Sequence, residues 1–230
     1  MSERDIRIQP VRLLDTCSGE PLEIRPRRLV VAGYTGRDAS AVAAHIAELE
    51  TIGVPPPASV PAFYDLDPGL LTVDPVVETS GDQTSGEVEP VIIRHVGHHY
   101  LAVGSDHTDR ALERSDIAGS KAACPKPLGR EVIPLGPDLA RADWDRLSLA
   151  CRVDGRPYQT GPAASLRHPA DLFDRMSAVL GTGAEDLVLF CGTLPLLTGD
   201  FVYGTHWHVQ VQLSTGSTLS HQYDTKQRNA

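Results

Sequence analysis

Three carboxylates are spaced so that they could bind one divalent cation. Glu87 and Glu89 lie two residues apart in the segment SGEVE, where the sequence predicts a β-strand. Residues two apart on a strand point to the same face, so these carboxylates are expected side by side. An antiparallel return of the chain would bring Asp106 close to them. Like charges held together repel unless a cation lies between them, and Mg²⁺ takes oxygen ligands. The alternative is an ordinary solvated strand face.

A histidine and a glutamate have the spacing of a general base with its orienting partner. His45 and Glu48 fall at i and i+3 on an Ala-rich helix predicted over residues 38–50, on one face of one turn. A carboxylate beside an imidazole holds its tautomer and raises its basicity. Asp38 lies on the same side of the helix, about two turns before His45. The alternatives are two surface side chains and, for Asp38, an N-cap.

The elements that must position these residues are mostly β. Short alternating or apolar runs predict strands, and prolines fill the segment over residues 54–63, which is expected to be a loop. Residues 88–104 predict two strands joined at a Gly97-His98 turn, and a second helix is predicted at 170–180. Strands are also predicted at 5–13, 23–33, 187–193 and along FVYGTHWHVQVQL (201–213).

Composition excludes several classes of partner. Acidic residues number 30 against 21 Lys plus Arg, and the formal net charge is −9, which argues against nucleic acid and anionic membranes. The four cysteines are far apart, which argues against a metal finger or a disulfide framework. No long apolar run or signal peptide is recognised. We expect a cytoplasmic protein with no membrane partner.

Two further sites have weaker support. His206 and His208 alternate on a predicted strand and could share a zinc ion with His107, although a solvated or substrate-lining strand face is the favoured alternative. Cys124 follows Lys121 closely and could flank a site, whereas Lys126 in the same segment is expected on the surface.

The order of these motifs resembles the fumarylacetoacetate-hydrolase (FAH) superfamily, and within it a bacterial subfamily of unassigned function. The resemblance covers residues 30 to 213, and its motifs keep their order throughout. They are His45-Ile46-Ala47-Glu48, the proline-rich stretch from Pro55 to Phe63, Glu87-Val88-Glu89, Ser105-Asp106 with Arg110, Ser120-Lys121, and Gly192-Thr193.

The resemblance implies a fold, a cofactor and a partner. The fold would be mainly β with short helices, a mixed β-sandwich roll, in a single catalytic domain over residues 1–230. Strands over about 1–30 would lead into it, and a polar tail over about 224–230 would follow it. The cofactor would be Mg²⁺ or Mn²⁺, with Ca²⁺ as an alternative, the partner a small oxo-acid, and the assembly a homodimer.

The resemblance also implies residue roles. His45 with Glu48 would activate water, Lys121 would stabilise a developing enolate, and Arg110 would bind a substrate carboxylate or carbonyl. Tyr34 and Arg37, just before the helix, are expected to line the pocket or to form an ordinary strand-to-helix turn. The metal ligands would be Glu87, Glu89, Asp106 and Asp38, and a substrate carboxylate would be held by Gly192 and Thr193.

Two departures from the family pattern leave the substrate open. The interval between Glu89 and Asp106 is short, so a helix usual in the family is expected to be missing, and Asp109 precedes Arg110 instead of following it. The leading hypothesis is a metal-dependent hydrolase that cleaves a C–C bond in a diketo or 2-oxo acid. The alternatives are an oxaloacetate-type decarboxylase, a tautomerase, isomerase or hydratase on the same scaffold, and a catalytically silent member that binds a small acid or serves as a structural partner.

Overall fold

Short strands joined by Pro- and Gly-containing turns make up most of the chain in this computed structural model, which describes residues 9–51, 55–79, 81–181, 183 and 186–228. The helices are α1 (Ala39–Thr51), α2 (Arg110–Glu113), α3 (Ile117–Ala122) and α4 (Pro169–Leu180). The strands are β1 (Val11–Asp15), β2 (Pro21–Ile24), β3 (Arg28–Gly33), β4 (Ala62–Leu66), β5 (Leu71–Thr72), β6 (Val76–Thr79), β7 (Thr84–Ser85), β8 (Val88–His95), β9 (His98–Ser105), β10 (Thr108–Asp109), β11 (Lys126–Pro127), β12 (Glu131–Gly136), β13 (Ser148–Val153), β14 (Arg156–Pro162), β15 (Leu187–Phe190), β16 (His206–Gln212) and β17 (Thr218–Gln227).

Two large mixed sheets carry the fold. One has eight strands in the order β2-β1-β12-β9-β8-β15-β3-β4, and the other has five in the order β14-β13-β16-β17-β6. Parallel pairs, β1 with β12, β15 with β3 and β17 with β6, lie among antiparallel ones. The expected mainly β fold with short helices, a mixed β-sandwich roll, is confirmed.

Apolar side chains cover both faces of the eight-stranded sheet. Along β3, Val30 packs in the cluster that contains Trp207 of the second sheet, whereas Leu29 and Val31 pack with Phe190 in another. Successive residues of a strand point to opposite faces, so the first cluster lies between the two sheets and the second on the far side. Such a strand reads as a continuous apolar run, which is what LVVA shows.

The β8–β9 hairpin has a register that places the three carboxylates together. Its turn lies at Val96 and Gly97, whose φ angles are 47° and 75°, one residue earlier than the predicted Gly97-His98 turn. Glycine adopts positive φ at little cost, so it suits the second position of such a turn. Glu89 lies opposite Gly104, and the backbone N–H of Asp106 donates to Glu87 O at 3.0 Å. Opposed residues of a pair share a face, so Glu87, Glu89 and Asp106 project from the same side.

Both predicted helices are present. Asp38 precedes α1, and its Oδ1 accepts hydrogen bonds from the backbone N–H groups of Ser40 (2.9 Å) and Ala41 (3.1 Å). These contacts satisfy two of the free N–H groups at a helix start, as an N-cap does. The helix predicted at 170–180 begins one residue earlier, because Pro169 occupies its first turn.

Several expectations from the sequence were wrong in detail, and the strand predicted along 201–213 begins only at His206. The loop predicted over 54–63 ends early, since β4 begins at Ala62 and pairs with β3; residues 52–54 lie outside the described residues. Residues 224–227, expected in a polar tail, form the end of β17, where pairing with β6 holds the polar backbone. The N-terminal lead-in is described only from residue 9.

Candidate functional site

The carboxylates of the β8–β9 hairpin lie where burial disfavours their charge. Burial raises the pKa of Glu89 well above its ordinary value, and the neighbouring charge of Asp106 raises it further. Burial also raises the pKa of Glu87, against the lowering effect of Arg110. Glu89 has one backbone partner: its Oε2 accepts a hydrogen bond from Gly192 N at 2.7 Å. A cation bound at this face would stabilise the ionised forms of both carboxylates and so lower their pKa values.

Asp106 lies between two lysine ammonium groups. Lys121 Nζ donates to its Oδ2, and Lys126 Nζ lies 3.1 Å from its Oδ1 at an angle that makes no hydrogen bond. Burial would raise the pKa of Asp106, but the charges of Lys121 and Lys126 outweigh that effect and lower it. Burial would lower the pKa of Lys121, and Asp106 instead raises it. The carboxylate is therefore ionised at neutral pH.

Lys126 is buried, contrary to the surface position expected from its sequence. Its side chain is 0% exposed, and its Nζ donates to the carbonyls of His107 and Lys121, each at 2.5 Å. The two carbonyls accept hydrogen bonds from the ammonium, and Asp106 Oδ1 makes an ion pair with it at 3.1 Å. Burial lowers the pKa of Lys126, against the raising effect of Asp106, and the two carbonyl contacts fix the chain around Asp106.

All three guanidinium nitrogens of Arg110 contact oxygens of the protein. Its Nε donates to Ser85 Oγ at 2.6 Å, and its Nη1 donates to both oxygens of Glu113 at 3.0 and 2.8 Å. Its Nη2 lies 3.0 Å from Glu87 Oε2 and 3.5 Å from Ser85 O. A substrate carboxylate, the partner that the resemblance assigns to Arg110, would have to compete with these three residues for the guanidinium. In this structure Arg110 holds Glu87 in position.

The Gly192-Thr193 pair is also engaged within the protein. Gly192 has a φ of 99°, and a Cβ there would collide with Thr35, so only glycine suits this position. Thr193 Oγ1 donates to Val88 O at 2.8 Å and accepts from Gln159 Nε2 at 2.9 Å. The pair therefore anchors β8 and orients Glu89.

The residues around α1 lie further out. His45 Nδ1 is 3.9 Å from Glu48 Oε2, and their side chains are 62% and 80% exposed. Tyr34 connects this helix to the buried groups: its ring centroid is 6.4 Å from that of His45, and its pKa is raised by burial and by Glu113, against the effect of Lys121. The structure thus forms the His45–Glu48 pair without bringing it into contact with the hairpin carboxylates.

Asp38 and Arg37 are occupied elsewhere. Asp38 is exposed and caps α1. Arg37 is exposed and makes two hydrogen bonds to Asp145, at 3.0 and 2.6 Å. Neither has a contact with Glu87, Glu89 or Asp106 in the part of the chain that the structure describes.

The alternative zinc site is not formed by the described residues. His107 is buried between Tyr223 OH, 3.1 Å from its Nδ1, and Thr84 Oγ1, 3.0 Å from its Nε2. Burial and the charge of Lys126 lower its pKa to about 3, so the ring is neutral. His206 instead pairs with Asp224 at 2.7 Å on the exposed end of β16. Cys124 is fully buried, and burial raises its pKa to about 11, which disfavours the nucleophilic thiolate.

The donor set fits a hard divalent cation by its chemistry. All three hairpin donors are carboxylate oxygens, and Asp106 Oδ1 is buried without a hydrogen bond. Within the described ranges, no three His, Cys, Asp or Glu side chains already stand in a metal-holding arrangement. Arg110 and the lysines hold oxygens of Glu87 and Asp106, so an ion must compete with these side-chain cations.

Sequence reasoning missed the partners of the candidate ligands. Glu113 lies three residues after Arg110 on the same helical turn, and this spacing is a signal that could have been found. Lys126 and Tyr64, whose ring lies 5.6 Å from Lys121 Nζ, come from separate strands and carry no local signal.

Comparisons with known proteins agree with this fold. A family model described as "Protein of unknown function (DUF2848)" matches residues 32–223. The chain belongs to this family. A search of curated proteins finds none that matches it.

Solved structures of FAH-superfamily enzymes have the same fold as this DUF2848 chain, which confirms the resemblance seen in the sequence. Fumarylpyruvate hydrolase from Pseudomonas aeruginosa, in complex with Mn²⁺ and pyruvate, has a TM-score of 0.64 and 17% identity over 95% of this chain and 97% of that chain. A 5-carboxymethyl-2-hydroxymuconate delta-isomerase from Mycobacterium smegmatis has a TM-score of 0.61 and 16% identity, covering 90% and 82%.

A third structure, 2-keto-3-deoxy-D-arabinonate dehydratase complexed with magnesium and 2,5-dioxopentanoate, has a TM-score of 0.60 and 15% identity, covering 94% of this chain and 82% of that chain. These neighbours thus include a hydrolase, an isomerase and a dehydratase, and at such identities they establish the fold. Among the described residues of the DUF2848 chain, no helix has the length and apolar character needed to cross a membrane.

Proposed function

We propose that this chain is a divalent-metal-dependent hydrolase that cleaves a C–C bond in a small diketo or 2-oxo acid. The observation that carries the proposal is the hairpin face on which Glu87, Glu89 and Asp106 project together, with one buried Asp106 oxygen lacking a hydrogen bond. The metal-complexed structural neighbours support the use of Mg²⁺ or Mn²⁺.

The roles of the residues follow from their contacts. Glu87, Glu89 and Asp106 would hold the ion, which supplies Lewis-acid polarisation of the substrate's oxo groups when bound. Arg110 orients Glu87, and Gly192 N orients Glu89. Lys121, charged and almost fully buried, would donate an N–H to the oxygen on which negative charge develops when the C–C bond breaks. The ring of Tyr64, with its centroid 5.6 Å from Lys121 Nζ, would shield this ammonium from water.

Activation of water is assigned to His45 with Glu48. Because this pair lies on the exposed face of α1, hydrolysis requires α1 to approach the hairpin when substrate is present. The exposure of His45 favours a second candidate, an oxaloacetate-type decarboxylase, tautomerase, isomerase or dehydratase (hydratase) that needs no water-activating base from α1. Both candidates use the same carboxylates and Lys121.

The test is turnover of acylpyruvates, oxaloacetate and a fumarylacetoacetate-like diketone after chelation, with and without added Mg²⁺ or Mn²⁺. We expect activity that returns with metal and is lost in Glu87→Ala and Glu89→Gln, whereas Glu20→Gln, at an exposed turn, retains it. Loss of activity in His45→Ala supports hydrolysis; retained activity supports the second candidate. An absence of both turnover and calorimetric metal binding would contradict the proposal and favour a silent, small-acid-binding or structural member.

A further inference from the structure

The loop between β15 and β16 exposes an unusual number of large apolar side chains. Leu197 is 52% exposed, Phe201 41%, Val202 41% and Tyr203 46%. Single exposed apolar residues are ordinary on a protein surface, but several on one short segment indicate a binding surface for a ligand or another protein. The loop is described throughout residues 191–205.

This loop is attached to the candidate site at two points. Near its start, Gly192 N donates to Glu89 Oε2 at 2.7 Å. Further along, the ring of Phe201 covers the guanidinium of Arg110, with 4.1 Å between Cζ and the ring centroid. The same guanidinium lies 3.0 Å from Glu87 Oε2, so Phe201 stands one side chain away from a candidate ligand.

Backbone contacts hold the rest of the loop in place. Leu197 N donates to Tyr158 O at 3.0 Å, and Gly204 O accepts from Trp207 Nε1 at 3.0 Å and Thr225 Oγ1 at 3.1 Å. The exposed side chains are thus presented on a fixed backbone.

An aromatic ring lies over each of two cations of the site. Tyr64 lies over Lys121, with 5.6 Å between Nζ and the ring centroid, and Phe201 lies over Arg110. The side chains of Glu87 and Lys121 remain 14% and 9% exposed. The exposed parts of these charged groups therefore have aromatic rings as neighbours.

Arg110 argues against a second carboxylate at the Phe201 side. Its three nitrogens contact Ser85, Glu87 and Glu113, so an incoming anion would have to compete with these partners for the guanidinium. A carboxylate placed there would also approach Glu87, which lies 3.0 Å from the same guanidinium, and like charges repel.

We propose that the site takes 2-oxo acids whose far end is an apolar acyl or aryl group, and that Phe201 is a specificity-determining residue that contacts this group. This inference rests on the proposed function for the position of the oxo-acid head at the hairpin carboxylates. It adds the chemical class of the tail, which the charged groups alone do not define.

The experiment measures binding, because 2-oxo acids without a cleavable bond separate tail recognition from catalysis. Pyruvate, 2-oxooctanoate, phenylpyruvate and the dicarboxylate 2-oxoadipate are titrated by calorimetry in the presence of Mg²⁺ into wild type, Phe201→Ala and Val179→Ala. Val179, on α4, is 58% exposed and serves as the matched apolar control. We expect 2-oxooctanoate and phenylpyruvate to bind at least tenfold more tightly than pyruvate, since each buried methylene contributes roughly threefold to fourfold.

Phe201→Ala should reduce this preference about tenfold and change pyruvate affinity less than twofold, and Val179→Ala should change neither. If Phe201→Ala reduced the affinities for pyruvate and phenylpyruvate equally, the inference would be overturned. Tighter binding of 2-oxoadipate than of 2-oxooctanoate to wild type would also overturn it. So would a light-scattering result in which Phe201→Ala alone dissociates an oligomer, because the loop would then be an interface between copies. If the protein binds apolar 2-oxo acids more tightly but cleaves no C–C bond, the proposed function is contradicted and the inference about the tail is supported. If it cleaves a C–C bond but shows no preference for apolar 2-oxo acids, the proposed function is supported and the inference about the tail is contradicted.

Discussion

The ammonium of Lys126 lies 3.1 Å from Oδ1 of Asp106, and both side chains are buried, with 0% and 1% of their surfaces exposed. This pair is the fixed part of the candidate site, because two carbonyls also hold Lys126. Lys121, by contrast, lies at the edge of the site, where its side chain is 9% exposed.

Lys126→Met should destabilise the protein. Methionine has a volume similar to that of lysine but carries no charge. The two carbonyls then lose their hydrogen-bond donor and Asp106 loses its ion-pair partner, and breaking a buried pair in this way costs about 3–5 kcal/mol. Urea denaturation measures this free energy of unfolding. Lys226→Met, at an exposed position of β17, is the control and should change it by less than about 0.5 kcal/mol. Equal effects of the two substitutions would show that the buried pair adds nothing.

Arg110→Lys should cost far more than Arg37→Lys. Both arginines make two hydrogen bonds to one carboxylate, but the side chain of Arg110 is 3% exposed and that of Arg37 is 44% exposed. Lysine cannot reproduce five donors in a fork, so Ser85, Glu87 and Glu113 lose partners. We expect a loss of about 3 kcal/mol at Arg110 and less than about 1 kcal/mol at Arg37, measured by urea denaturation.

The same pair of variants tests the role assigned to Arg110. If Arg110 bound substrate directly and did not position Glu87, Arg110→Lys would weaken substrate binding and leave both stability and metal affinity near wild type. Calorimetry of metal binding without substrate separates the two roles.

Gly192→Ala should be worse than Gly19→Ala. Both glycines have positive φ, 99° and 75°, so alanine is strained at each by about 1–2 kcal/mol. A Cβ at position 19 meets nothing within 4 Å, whereas one at position 192 collides with Thr35 and displaces the N–H that orients Glu89. Thermal unfolding should show the larger loss for Gly192→Ala, and metal affinity should fall in that variant alone. Similar unfolding temperatures would mean that the loop moves freely away from Thr35.

His221→Phe should make stability less sensitive to acid. Burial, with the charge of Arg130, lowers the pKa of His221 from 6.5 to about 4, so the unfolded chain binds this proton more readily. The contribution of the neutral ring is therefore complete above about pH 6.5 and is lost as the pH falls toward 4. Phenylalanine keeps the stacking on Tyr223, whose centroid lies 5.8 Å away. Urea midpoints at pH 7 and pH 5 should differ less in the variant; an unchanged difference would assign the acid sensitivity to other groups, including His107.

The sequence predicted what depends on local periodicity. The hairpin carboxylates share a face because strand side chains alternate, and α1 and α4 follow from helix propensity and capping residues. The short interval between Glu89 and Asp106 is filled by two strands and a turn, with no helix, as expected.

What the sequence did not predict depends on contacts between distant segments. Lys126 was expected on the surface because lysine is rarely buried without a partner, and its partner Asp106 comes from another strand end. The pairing of β17 with β6 joins residues far apart in the chain, and period-2 patterns carry no information about such pairing. The engagement of Arg110 by three partners could not be separated from a substrate-binding role by motif order alone.

The Val96–Gly97 turn and the carboxylates lie at opposite ends of one hairpin, and this separation determines which length changes the chain can tolerate. Residues added at the exposed turn lengthen a loop and leave the cross-strand pairing of Glu89 with Gly104 unchanged. One residue inserted between Glu89 and His95 would instead exchange the two faces of β8, directing Glu87 and Glu89 into the packed space between the sheets. Insertions and deletions among relatives should therefore concentrate at the turn, and a sequence with an odd-numbered insertion within β8 should have lost the site together with its fold.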